Sequence, residues 1–141
     1  MKGELTAFVD TGVLVYAVCA DHPARQRQAR AIVERGFVEG RFATSTQVLM
    51  EVYDILTRRA EVRLSALEAA DYVRALREWH VVEVDTDLVT AALVLAEREQ
   101  LTPWDATILE AARRADCIRV FSEELPAGRV YEGVRVENPF D

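Results

Sequence analysis

Two hydrophobic patterns meet in one short stretch, TAFVDTGVLVYAVC, which spans residues 6–19. Residues 6–9 form a mostly apolar run that ends at Asp10, which predicts a strand buried on both faces. Residues 11–19 predict a compact apolar helix that begins directly after this strand. A buried strand that passes at once into a helix indicates an α/β fold.

The rest of the chain repeats this alternation. Further strands are predicted at residues 41–44, 81–84 and 118–121, with a short fifth at 134–136. Five further helices are predicted. The first runs from Pro23 to about Gly36, and the second from a cap at Ser45 or Thr46 through Arg59. The third follows a cap at Ser65, the fourth begins at Asp85–Asp87, and the fifth runs from Thr102-Pro103 to about Ala115. We therefore expect a three-layer α/β/α sandwich around a central, mostly parallel sheet of about five short strands. No linker or repeat divides residues 1–141, so one domain is expected.

Composition excludes several classes of protein. The longest apolar run, residues 13–20, is much shorter than the roughly 20 residues of a membrane-spanning helix, and the first residues do not resemble a signal peptide. We therefore expect a cytoplasmic protein that does not enter a membrane. Cys19 and Cys117 lie far apart and fit two buried, reduced thiols. The net charge of −7 disfavours binding nucleic acid by charge alone, unless carboxylates gather around a divalent cation.

The chain lacks the motifs of several enzyme classes. Its six glycines form no phosphate-binding loop, and the sequence contains neither GxSxG nor HExxH. The chemistry that remains is that of carboxylates. Asp10 follows the first strand, at the edge of the sheet where doubly wound folds place their sites, although it could equally cap the next helix. Glu51 lies at the rim of an apolar helix face, where a solvated surface glutamate is the alternative.

Two further acidic positions are candidates. Asp105 lies on the apolar stripe of its helix, with Ile108, Leu109 and Ala112 at i+3, i+4 and i+7. It is also the third helical residue of a capping box opened by Thr102. Glu123 and Glu124 follow the fourth strand, where a solvated acidic loop is the alternative. A set of oxygen ligands without His or Cys suits Mg²⁺ or Mn²⁺.

Four motifs, in this order, resemble those of PIN-domain nucleases. They are FVDTGVLVYA at residues 8–17, STQVLME at 45–51, WDA at 104–106 and FSEEL at 121–125. The closing GVRVENPF at 133–140 also resembles the family's last strand and tail, so the likeness spans roughly residues 7–140. In size and in the lack of extra domains, the chain is most similar to the VapC-type toxins of VapBC toxin–antitoxin pairs. Gly12 stands where Asn or Ser is more usual, and Glu124 where Asp is common.

The resemblance implies a Mg²⁺- or Mn²⁺-dependent ribonuclease. Asp10 and Asp105 would be the principal metal ligands, and Glu51 would complete the acidic pocket. Glu124 would be the fourth acid, bound directly or through water, with Glu123 as its rival. Thr11 and Ser122 would be the hydrogen-bonding residues that orient the carboxylates.

The resemblance also implies partners, namely an RNA substrate, a cognate antitoxin protein and a second copy in a homodimer. Arginine clusters are candidate RNA contacts, although each could be a solvated helix face. They are Arg25, Arg27 and Arg30 on the second predicted helix, and Arg58, Arg59 and Arg63 after the third. The alternative function is a non-catalytic PIN-like module that binds RNA or a protein partner.

Overall fold

The computed structural model describes residues 5–59 and 64–141. Within them the chain forms six strands and six helices. The strands are β1 (Ala7–Val9), β2 (Phe42–Ser45), β3 (His80–Val82), β4 (Arg119–Phe121), β5 (Val130–Tyr131) and β6 (Val134–Glu137). The helices are α1 (Thr11–Tyr16), α2 (Pro23–Glu39), α3 (Thr46–Arg58), α4 (Ala66–Leu76), α5 (Thr86–Glu99) and α6 (Pro103–Arg114).

The strands form a single sheet in the order β3-β2-β1-β4-β6-β5. Every neighbouring pair is parallel except β5 and β6. The central strand β1 is completely buried, as its continuous apolar run predicts for a strand covered on both faces. The expected α/β fold with a mostly parallel sheet is confirmed.

The sheet has six strands where the sequence predicts about five. The additional strand, β5, has only two residues and pairs antiparallel with β6. The turn between them contains Glu132 at φ +50° and Gly133 at φ +82°, and two consecutive positive φ values are typical of a tight hairpin turn. A strand of two residues is too short for a periodic pattern to indicate it.

Two helix ends differ from the predicted ones. Helix α1 ends at Tyr16 rather than Cys19, and Val18 and Cys19 continue as turns whose amides bond to the carbonyls of Val15 and Tyr16. Helix α2 continues beyond Gly36 to Glu39, because the left-handed residue that ends it is Gly40, at φ +68°. At the start of α3, the side chain that caps the helix is that of Ser45.

The predicted caps of the later helices are confirmed. Ser65 and Glu68 form a complete capping box, and Asp85 and Thr102 cap α5 and α6. Both cysteines are free and buried, as expected. None of the helices in the described ranges combines the length and the apolar character that crossing a bilayer requires.

Gly36 lies where α2 packs closely on the core. A Cβ atom at this position would come within 2.8 Å of Trp79 Cε2 and 2.9 Å of Phe42 Cδ2. Trp79 and Phe42 are themselves buried and pack edge to face, with ring centroids 5.8 Å apart. The absence of a side chain at Gly36 therefore allows the helix to approach the two aromatic rings.

We predict that Gly36→Ala destabilises the protein, although the same change in an ordinary helix interior is stabilising by roughly 1 kcal/mol. Overpacking against Trp79 and Phe42 should lower the free energy of unfolding by about 1–3 kcal/mol. Urea unfolding followed by far-UV circular dichroism measures this. The control is Gln28→Ala, on the exposed face of the same helix; equal stability of the two variants would contradict the prediction.

Candidate active site

Asp10 connects the carboxyl ends of two adjacent parallel strands. It follows β1 and caps α1, where its Oδ1 accepts a hydrogen bond of 2.7 Å from the Thr11 amide. Its Oδ2 accepts a bond of 2.8 Å from the hydroxyl of Ser122, which follows β4. The cap and the site residue are therefore the same side chain, and the capping interaction fixes the orientation of the carboxylate.

Ser122 is the centre of the hydrogen bonds at the end of β4. Its buried hydroxyl donates to Asp10 and accepts from the backbone amides of Glu124 and Leu125, at 3.2 and 3.3 Å. The amide of Ser122 donates to the carbonyl of Glu137 in β6. This single side chain thus sets the position of Asp10 and the course of the chain that carries Glu124.

Glu51 approaches the same region from α3. Its Oε1 accepts a bond of 2.8 Å from Gln47 Nε2, one turn earlier on the helix, and its Oε2 accepts a longer bond of 3.4 Å from Thr11 Oγ1. Gln47 is a site residue that was not predicted from the sequence. Its i, i+4 spacing from Glu51 was the available signal, since residues four apart share a helix face.

Asp105 completes the group from a fourth direction. It lies in the first turn of α6, where its amide bonds to the Thr102 hydroxyl at 3.1 Å. A cavity of about 130 Å³ joins it to the other acids, and its lining includes Asp10, Glu51, Asp105, Glu123 and Glu124. All the acids proposed from the sequence therefore line one cavity at the carboxyl edge of the sheet.

The electrostatics of this cavity act most strongly on Asp10. Burial raises the pKa of its carboxyl group from 3.8 to about 6, against the opposing effect of the hydrogen bonds from Thr11 and Ser122. The negative charges of Glu124 and Glu51 raise the pKa further. Glu124 and Glu51 therefore act on the same side of the balance as burial, disfavouring the ionised form of Asp10.

Glu123 lies at the same rim but has a partner of its own. Its carboxylate forms an ion pair with Arg25, and the hydrogen bond to Glu123 is the main cause of the raised pKa of that guanidinium. Arg25 also donates to the Tyr16 hydroxyl at 3.3 Å, and its guanidinium carbon lies 5.2 Å from the Tyr16 ring centroid and 5.0 Å from that of Phe140. Glu123 is thus neutralised by Arg25, whereas Glu124 faces Asp10.

Comparison with known proteins identifies the family of the chain. The family model of the PIN domain matches residues 7–125. The chain belongs to the PIN domain family.

Solved PIN-fold structures are similar over most of their length. They include VapC20 of Mycobacterium tuberculosis, described as a sarcin–ricin loop cleaving toxin, with 24% identity and a TM-score of 0.65 over 84% of this chain and 90% of that one. A toxin–antitoxin complex from Klebsiella pneumoniae has 18% identity and a TM-score of 0.70 over 96% and 99%. A DNA-bound VapBC from Salmonella typhimurium has 18% identity and a TM-score of 0.65 over 96% and 98%. No curated protein matches the chain in sequence.

The acids of this PIN domain fit a hard divalent cation in their chemistry. All the donors are carboxylate oxygens, which Mg²⁺ and Mn²⁺ prefer. Among the described residues, none of Asp10, Glu51, Asp105 and Glu124 forms an ion pair with an arginine. Over the same residues, no three acids are already arranged closely enough to hold an ion. The cavity therefore supplies suitable ligands and an excess of negative charge, but not a preformed coordination shell.

The arginines predicted to bind RNA divide into three groups. Arg25 is engaged at the rim with Glu123. Arg27 and Arg30 are exposed on α2. Arg58 pairs with Asp54 at 2.6 Å, and Arg59 lines the acidic cavity. Arg63 lies outside the described residues.

We predict that Asp10→Asn stabilises the protein in the absence of divalent ions. A carboxyl group whose pKa is raised by folding costs nothing below its unfolded pKa, and its full cost applies above its folded pKa. Here the cost develops between about pH 4 and about pH 6, and at higher pH it lowers the free energy of unfolding by at most about 3 kcal/mol. With EDTA present, Asp10→Asn should therefore raise the free energy of unfolding at pH 8 and change it little at pH 4.

Urea unfolding at the two pH values measures this difference. The control is Asp71→Asn, which makes the same chemical change at an exposed residue of α4 and should have little effect at either pH. An equal gain for Asp10→Asn at pH 4 and pH 8 would show that its charge is not the cause.

Proposed function

We propose that this PIN domain is a Mg²⁺- or Mn²⁺-dependent ribonuclease, the toxin of a type II toxin–antitoxin pair. The observation that carries the proposal is the convergence of Asp10, Glu51, Asp105 and Glu124 on one cavity at the carboxyl edge of the sheet. Ionised carboxylates that share one cavity repel one another, and a divalent cation would remove that cost. The likeness in fold to VapC20 and to two toxin–antitoxin structures supports the choice of reaction and of biological role.

The proposed roles of the residues are those that the resemblance to PIN-domain nucleases implies. Asp10 and Asp105 would be the principal ligands, with Glu51 and Glu124 completing the donor set. A bound divalent ion supplies Lewis acidity, which activates water and neutralises phosphate charge in hydrolysis. Thr11 and Ser122 hold the two oxygens of Asp10 in place, and Gln47 does the same for one oxygen of Glu51. These hydrogen bonds limit the orientations of the two carboxylates, so fewer groups have to reorganise when an ion binds.

Glu124, rather than Glu123, is the fourth acid in this proposal. The charge of Glu124 acts on Asp10, whereas that of Glu123 is neutralised by Arg25. Ser122 supports the assignment, because its hydroxyl binds both the Asp10 carboxylate and the Glu124 amide. The greater length of a glutamate is compatible with its exposed position at the rim.

The proposed partners are an antitoxin protein, a second copy of the chain and an RNA substrate. An antitoxin would cover the acidic cavity, and two copies of the chain would form a homodimer. RNA would reach the cavity past Arg59, which lines it, and past Arg58 beside it; Arg27 and Arg30 would contact more distant phosphates. We propose that the protein acts in the cytoplasm.

The proposal predicts that Mn²⁺ binds saturably to the wild type and that RNA cleavage is abolished by EDTA. The double variant Asp10→Asn, Asp105→Asn should lose both, because it removes two carboxylate ligands without changing side-chain size. Isothermal titration calorimetry and cleavage of a labelled single-stranded RNA, on the same samples, measure these properties. Asp71→Asn is the matched control and should keep both. Failure of the wild type to bind Mn²⁺ would favour the non-catalytic binding module.

A second pair of variants separates the neighbouring glutamates. Glu124→Gln should weaken Mn²⁺ binding and reduce cleavage by roughly 10- to 100-fold, the range found when groups supporting a metal site are removed. Glu123→Gln should change both by less than about threefold, since an exposed ion pair contributes little. The two variants make the same chemical change at adjacent positions, so each is the control for the other. The reverse order of effects would assign the ligand role to Glu123.

A further inference from the structure

The indole of Trp104 is exposed at the edge of the acidic cavity. It is the second residue of α6, directly before Asp105, and 70% of its surface is accessible. The other tryptophan, Trp79, is 5% exposed and packs in the core. Trp104 lines the cavity that contains Asp10, Asp105 and Glu124. A large aromatic surface is therefore presented beside the proposed reaction centre without contributing to the core.

The same side chain lines a wider groove that continues outward from the acids. This groove has a volume of about 880 Å³, and Trp104 shares it with Met50, Arg58, Asp105 and Glu124. Met50 is 72% exposed, so the lining of the groove includes both a flat ring and a flexible thioether. Cavities of roughly 300–1,000 Å³ hold small organic ligands in many proteins. The groove can therefore accept a planar group of nucleobase size.

The neighbouring charges determine which planar group is suitable. Asp105 and Glu124 border the groove, and the one arginine in its lining, Arg58, is already paired with Asp54. The groove therefore offers a phosphate little positive charge, and its main attraction is the face of the indole. Nucleobases stack on such faces whatever their sequence. A base joined to a phosphate at the acids needs only to turn outward from its strand to reach Trp104.

We propose that Trp104 stacks on the nucleobase next to the phosphate that is cleaved. The inference rests on the proposed ribonuclease function and adds a residue that binds the substrate beside the acids. Stacking requires an accessible base face, which a base within a duplex does not offer. Trp104 is a binding residue in this proposal, and the chemical step does not depend on it.

The test compares RNA binding to the Asp10→Asn protein, which prevents cleavage, in buffer containing Mg²⁺. The probes are a short single-stranded oligoribonucleotide, an abasic chain of the same length and a duplex of the same sequence. Tryptophan fluorescence reports the contact, since Trp104 is exposed and Trp79 is buried. The base-bearing single strand should quench the exposed indole, and the abasic chain and the duplex should not.

Substitutions at Trp104 provide the second measurement. Trp104→Ala should weaken binding of the base-bearing strand by about 5- to 100-fold and leave the abasic chain unaffected, which is the range for loss of one stacked base. Trp104→Phe, which keeps a ring, should recover most of the affinity. Val38→Ala, at an exposed apolar residue of α2, is the control and should change nothing. In the cleaving protein, Trp104→Ala should raise KM and leave kcat nearly unchanged.

Three outcomes would overturn the proposal. One is equal affinity of Trp104→Ala and the parent for the base-bearing strand. Another is equal quenching by abasic and base-bearing chains. The third concerns the apolar side of Trp104, which also borders Val89, Leu93 and Pro103. If Trp104→Ala changes a dimer to a monomer in light scattering and leaves the ratio of base-bearing to abasic affinity unchanged, this face is a contact with a second copy of the chain. Persistent metal-dependent cleavage in these cases would leave the ribonuclease proposal intact, whereas its absence from the wild type would reject that proposal itself.

Discussion

The hydrogen bond from the Ser122 hydroxyl to Asp10 is the interaction on which the rest of the site depends. It joins the carboxyl ends of β1 and β4, which are neighbours in the parallel sheet. The same hydroxyl receives the amides that direct the chain through Glu124 and Leu125. Because parallel strands bring their carboxyl ends to one edge, a single serine can orient an acid on one strand and place an acid beyond the next.

This arrangement of acids lowers the stability of the fold. Asp10 lies beside other negative charges, and desolvation together with those charges raises the pKa of its carboxyl group, which disfavours the ionised form. The hydrogen bonds from Thr11 and Ser122 reduce that cost without removing it. The core around β1 is buried and apolar, and its packing supplies stability that offsets this cost. Destabilising groups of this kind are typical of functional sites, where binding of a ligand compensates them.

Much of this could be predicted from the sequence, because the signals are local. The apolar run before Asp10, the Ser65–Glu68 capping box and the Thr102-Pro103 start of α6 each act within a few residues. The acids could be placed at the right edge of the sheet for the same reason. Strand β5 could not be predicted, since two residues carry no period. The ion pair of Arg25 with Glu123 joins residues 98 positions apart, and no local pattern indicates it.

The choice between Glu123 and Glu124 shows why that long-range contact matters, and Gly12 is part of the explanation. A Cβ at Gly12 would lie 3.6 Å from Glu123 Oε1, at an ordinary contact distance. A serine or asparagine there, more usual in the resembling family, would therefore extend toward Glu123. In this chain Arg25 is the partner of Glu123, with its guanidinium packed against Tyr16 and Phe140. Arg25 thus neutralises Glu123, whereas Glu124, whose amide is bound by the Ser122 hydroxyl, is the glutamate whose charge acts on Asp10.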